Sequence, residues 1–172
     1  MSSAVSAVIA ASVTLITAFV TQFLAERYRR FKDGAALAAG TAGELASYSD
    51  AVPLLGVSLR TAQEQVALGN MSSLNFRDFE KPQDRYFPKV VDKLGLLGPQ
   101  LCEWIIYVYA NLDAFRSALV LIHSKHSEMT ADELQARIVL CVDAMGRAFS
   151  AGEELIEALR ARSNERFRVL GP

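Results

Sequence analysis

Residues 4–24 read AVSAVIAASVTLITAFVTQFL, twenty-one consecutive residues without a charge, and residues 25–34 continue as AERYRRFKDG. As a helix rising 1.5 Å per residue, the uncharged run covers about 31 Å, which matches a hydrocarbon core of about 30 Å. Val5, Val8, Ile9, Val13, Leu15, Ile16, Phe19, Val20, Phe23 and Leu24 together favour insertion by roughly 3 to 6 kcal/mol, and the Ser, Thr and Gln residues among them offset part of it. The run therefore predicts a transmembrane helix with a modest insertion margin. No Lys or Arg precedes it in the sequence, whereas Arg27, Arg29, Arg30 and Lys32 crowd just after it. By the positive-inside rule the N-terminus is expected outside and the C-terminal chain in the cytoplasm. The four basic residues act first as a stop signal, and with Tyr28 they are placed to meet lipid headgroups. A cleaved signal peptide would want its charges ahead of a shorter apolar run, and a buried core helix is ordinarily shorter than this one.

Within the run, steps of three and four pick out Ala4, Ala7, Ala11, Thr14, Ala18, Thr21 and Ala25, a heptad strip of Ala and Thr alone. Helices in lipid gain little from hydrophobic burial against each other, so a strip that lets backbones approach closely is an expected contact surface. Its 3.5-residue period suits left-handed packing between copies. Hydroxyls on such a strip also bond back to the carbonyl four residues earlier, which needs no second helix. A second face, Ser3, Ser6, Ala10, Thr14, Thr17 and Thr21, would turn hydroxyls toward a lumen in a ring of helices.

Beyond the membrane segment, residues 1–33, the remaining residues 34–172 are of one-domain size. From Ala38 to Val66 apolar residues recur at helical spacing as far as Gly69–Asn70, and Pro53 must bend or divide that helix near Asp50. Gly34, Gly40 and Gly43 leave open whether the spanning helix runs into it. Asn70 to Gln83 reads as a solvated loop, and Phe87 to Leu94 as a short helix closed by Gly95 in the left-handed conformation. Pro99 opens a helix to about His123 with the stripe Leu101, Ile105, Val108, Leu112, Phe115, Leu119 and Ile122. Thr130 and Glu133 form a capping-box pattern, starting a last helix along Leu134, Ile138, Cys141, Met145, Phe149, Leu155 and Leu159 to about Ala161. The expected fold is all-α: one N-terminal transmembrane helix followed by a cytoplasmic bundle of about four helices, the last two antiparallel.

The chain carries a net charge of -1, which gives no global attraction to nucleic acid, and Cys102 and Cys141 are read as small buried thiols in apolar helical patterns. No cofactor or metal is expected. His123 and His126, even with Glu128, fall short of a four-ligand site and read as a polar helix end. Trp104, Tyr107 and Tyr109 lack the basic interleaving of a stacking platform, and Asp50, Glu103, Asp113, Glu153 and Glu154 read as solvated faces. Arg160, Arg162, Arg166 and Arg168 suit the C-terminal end of a helix dipole and could reach anionic lipid or an acidic partner.

The segment from Tyr86 through Gly95-Leu96-Leu97-Gly98-Pro99 to Tyr107-Val108-Tyr109 resembles a stretch of small bacterial membrane proteins that have one N-terminal spanning helix and no activity attached to them. The resemblance implies placement in a bacterial inner membrane and assigns no functional residue. The expected function is a non-enzymatic, self-associating, membrane-anchored interaction or scaffold protein. Its partners are membrane lipid and further copies of itself. The alternative is an oligomeric pore or membrane-disrupting effector lined by Ser6, Ala10, Thr14, Thr17 and Thr21.

Overall fold

The computed structural model describes residues 2–71, 74 and 84–168, with the backbone alone for residues 2 and 4–6. Most of the loop expected from Asn70 to Gln83, including Asn75, Arg77, Asp78 and Glu80, and the side chains of Ala4, Val5 and Ser6 lie outside the described residues. Every described element is helical: α1 (Ser2–Ser49), α2 (Val52–Ala67), α3 (Phe87–Val90), α4 (Pro99–Lys125) and α5 (Ala131–Ser163), with 3₁₀ stretches at Val91–Leu97 and His126–Glu128.

α1 is one unbroken helix of 48 residues, about 72 Å long at 1.5 Å per residue. It runs through Gly34, Gly40 and Gly43, because tertiary packing on its second half outweighs their weak helix propensity. Leu37, Ala38, Thr41, Ala42 and Leu45 are buried there, whereas residues 7–23 are exposed throughout, with Leu15 and Phe19 each at 71%. The helix ends at Ser49, the residue whose carbonyl would collide with the Pro53 ring, and Pro53 then lies in the first turn of α2.

α4 and α5 lie antiparallel, as their short connection favours, and form the spine of a head domain. The second half of α1 covers one end of this pair and α2 covers the other, which yields two core clusters. One gathers Leu45, Leu97, Ile105, Val108, Leu155 and Leu159, and the other Leu59, Phe115, Ile122, Leu134, Ile138 and Cys141. Ile105, Ile122, Leu134, Ile138, Leu155 and Leu159 are each fully buried, and each stabilises the fold by about 1.5–3 kcal/mol.

Two local expectations are corrected. The positive φ falls at Gly98 (88°), not at Gly95, because the α-helix stops at Val90 and continues as a 3₁₀ stretch. Leu94 and Leu97 are both buried, and a three-residue period places both on one face. Midway along α5, between Cys141 and Gly152, the buried positions are Ala144 and Ala148, with Met145 and Phe149 half-buried beside them.

Among the described residues, two helices are long and apolar enough to cross a membrane, α1 near the N-terminus and α4. They differ in packing. None of the apolar window of α1 is buried against the rest of the chain, while 39% of that of α4 is.

Candidate functional site

α1 presents different faces to different surroundings, and at 3.6 residues per turn those faces can be placed around one axis. Gly34, Leu37, Ala38, Thr41 and Leu45 point into the head domain. The strip Ala7, Ala11, Thr14, Ala18, Thr21 and Ala25 lies about half a turn away from them and is exposed along its whole described length. The same outer face continues through Arg29 and Lys32 to Ala36, Ala39 and Gly43, all exposed, and around Gly43 a Cβ would find nothing within 4 Å. Within the helix, Thr14 Oγ1 donates to the Ala10 carbonyl (2.9 Å), Thr21 Oγ1 to Thr17 (2.8 Å) and Ser12 Oγ to Val8 (2.9 Å). Ser3, Ala10 and Thr17, the other described members of the hydroxyl face, are exposed as well.

Of the four basic residues after the apolar run, Arg29 and Arg30 pair with Glu26 at 2.8 and 3.0 Å. Arg27 extends over the Phe23 ring at 5.7 Å, and Lys32 is exposed. What the sequence gives no sign of is the company they keep. The segment after α5 returns to this level, where Phe167 meets Tyr28 edge-on with centroids 5.2 Å apart and Phe31 at 5.5 Å. Arg162 lies 5.0 Å above the Phe31 ring and pairs with Glu165 at 3.1 Å. An open concavity of about 720 Å³ forms between Arg27 and Arg30 on α1 and Arg166 and Arg168 on the returning segment. Arg162 is thus packed on α1 beyond any role at the end of its own helix, while Arg160 pairs locally with Glu157.

A polar knot that sequence reading missed closes the head domain where α1, α4 and the chain entering α3 meet. The Glu44 carboxylate accepts the backbone N–H groups of Arg85 and Tyr86 (both 2.7 Å) and Phe87 (3.0 Å), and the Tyr109 hydroxyl at 2.7 Å. Burial alone would raise its pKa, but these four donors outweigh it and hold the carboxyl below its ordinary range. The Phe87 ring stacks on Tyr109 with centroids 3.8 Å apart. Beside it, Asp84 accepts from Arg116 Nη1 and the Tyr48 hydroxyl, both at 2.8 Å, and the guanidinium lies 4.9 Å above the Tyr48 ring. Burial, then the bond to Asp84, pushes the Tyr48 phenol up to about 12. A lone carboxylate on a largely apolar helix face, as Glu44 is, was the available signal, but its partners lie 41 to 65 residues away.

Where α1 gives way to α2, the two fail to cover α4 and α5 fully and leave an apolar cavity of about 410 Å³. Leu55, Leu112, Phe115, Met145, Phe149 and Ile156 are among its walls, with Arg116 at one side. The other candidate groups are dispersed. Glu103, Asp113 and Asp50 are exposed on separate turns, Glu153 and Glu154 are exposed side by side on α5, and Nδ1 of His126 lies 3.0 Å from the His123 carbonyl oxygen where α4 ends. Tyr107 is exposed and Tyr109 buried, since residues two apart point to different sides of a helix. Cys102 is half-buried, and burial pushes the Cys141 thiol up to about 12, which keeps it protonated and unreactive. Comparison with known protein families, with curated proteins and with solved structures finds no match.

Proposed function

We propose that this chain is a membrane-anchored, non-enzymatic scaffold that self-associates through the N-terminal half of α1 and carries its helical head domain on the cytoplasmic side. One observation carries the reading. The Ala/Thr strip and the head-packing face lie on opposite sides of a single unbroken helix, so the strip stays uncovered when the head is folded. Copies can then meet along the strip without displacing any head contact. The exposed Val8, Ile9, Leu15, Ile16, Phe19 and Phe23 supply the apolar surface that lipid would cover. The basic residues following Leu24 orient the head toward the cytoplasm. Because the helix is continuous, assembly in the membrane fixes the spacing and rotation of the heads as well.

The test is cross-linking of Thr14→Cys and Ile16→Cys, each in a background with Cys102 and Cys141 replaced by alanine. Thr14 lies on the strip and Ile16 on nearly the opposite side. Disulfide-linked dimers are expected for Thr14→Cys and not for Ile16→Cys, in full-length protein reconstituted into liposomes. Equal or absent cross-linking, or a monomer in mild detergent, overturns self-association. Ion flux through the same liposomes, abolished by Thr14→Leu with Thr17→Leu, would replace the scaffold by a pore lined with the hydroxyl face.

A further inference from the structure

The two basic clusters, 139 positions apart at Arg27 and Arg166, belong to one place in the fold. Arg27 and Arg30 lie within the first two turns beyond Leu24, and the segment after α5 brings Arg166 and Arg168 to the same level. Phe167, between those two arginines, is held by Tyr28 and Phe31, so aromatic contacts anchor the returning segment. Among the described residues, Arg27, Arg29, Arg30, Arg162, Arg166 and Arg168 gather here with Glu26 and Glu165, so cationic side chains predominate. Aromatic side chains at the end of an apolar span mark the headgroup level, and a guanidinium fork matches phosphate oxygens.

We propose that the concavity between Arg27, Arg30, Arg166 and Arg168 binds the phosphate headgroup of an anionic membrane lipid, with Phe167 at the acyl boundary, and thereby clamps the end of α5 onto the membrane-proximal turn of α1. The inference rests on α1 spanning the membrane. Half of the headgroup site comes from the segment after α5. Arg27 and Arg30 line the site, whereas Arg29 and Lys32 do not. The volume, about 720 Å³, is ample for a phosphoglycerol group.

The test uses the full-length protein in nanodiscs of phosphatidylcholine and in discs where part of it is replaced by phosphatidylglycerol, reading amide hydrogen exchange from Arg162 to Arg168. Exchange is expected to be several-fold slower in the phosphatidylglycerol discs. Arg166→Gln with Arg168→Gln should abolish that difference, since each arginine removed weakens headgroup binding about fivefold. Arg137→Gln, half-buried on α5 beside Glu133 and outside this concavity, should preserve it. Both replaced arginines are exposed and outside the core clusters, and unchanged thermal unfolding confirms that the variant folds. Equal exchange in the two discs, or a double variant that still slows, overturns the lipid site. Equal slowing by inorganic phosphate in phosphatidylcholine discs reassigns it to a soluble phosphate. Failure to enter either disc overturns the spanning reading and the lipid site with it, whereas entry with identical exchange overturns the site alone.

Discussion

Gly34, Gly40 and Gly43 stand within one stretch of α1 and carry the same propensity penalty, about 1 kcal/mol each against alanine, yet their surroundings separate them. A Cβ on Gly34 would lie 2.9 Å from the Leu96 carbonyl oxygen and 3.1 Å from a guanidinium nitrogen of Arg162. One on Gly40 would clash with the hydroxyl end of the Tyr86 ring, and one on Gly43 would meet nothing. Gly34→Ala and Gly40→Ala are therefore expected to destabilise the head by about 1–3 kcal/mol, the usual cost of overpacking. Gly43→Ala is expected to stabilise it by up to about 1 kcal/mol. Thermal or urea unfolding of the three variants side by side checks the order. A Gly40→Ala protein as stable as Gly43→Ala would contradict the Tyr86 packing.

At the scale of elements, the helices begin and end for reasons written in a few residues. α5 starts at Thr130, whose Oγ1 accepts the Glu133 N–H at 3.2 Å, in extended backbone conformation. This satisfies one of the donors that a helix start leaves unpaired. α2, by contrast, starts at Ala51 without a side-chain cap and relies on Pro53 in its first turn. Thr130→Ala should lower stability by about 1 kcal/mol, read as a shift of the urea midpoint with unchanged slope. A shift near zero would mean that the spine formed with α4, rather than the cap, fixes where α5 begins.

At the scale of the whole molecule, the knot at Glu44 joins α1, α4 and the entry to α3, so its protonation bears on the entire head domain. Its folded pKa lies below the unfolded value, and the stability it contributes is present in full above the unfolded carboxylate range, about pH 4. That contribution is lost as pH falls through the lower folded value. Glu44→Gln should be less stable than the parent at neutral pH, and the gap should narrow on acidification below about pH 4, because protonation makes the parent resemble the variant. Thermal midpoints measured against pH in detergent give both curves. A gap of constant size would show that the carboxylate's charge contributes nothing and that only its shape does.

The sequence by itself determined the helical class and most of the helix starts and stops. It also determined the apolar N-terminal run and the basic residues that follow it. These are local properties, set by hydrophobic period, by proline and glycine, and by charge within one or two turns. Thr130, Pro99 and Pro53 could be read because each acts on neighbours no more than four residues away. Tertiary structure alone decided that α1 is continuous through Gly34, since packing against α5 and the 3₁₀ stretch outweighs propensity there. It alone gave Glu44 its donors and brought Phe167 to Tyr28 and Phe31. Those contacts join residues from about forty to more than a hundred positions apart, and no period or local spacing encodes such a pairing.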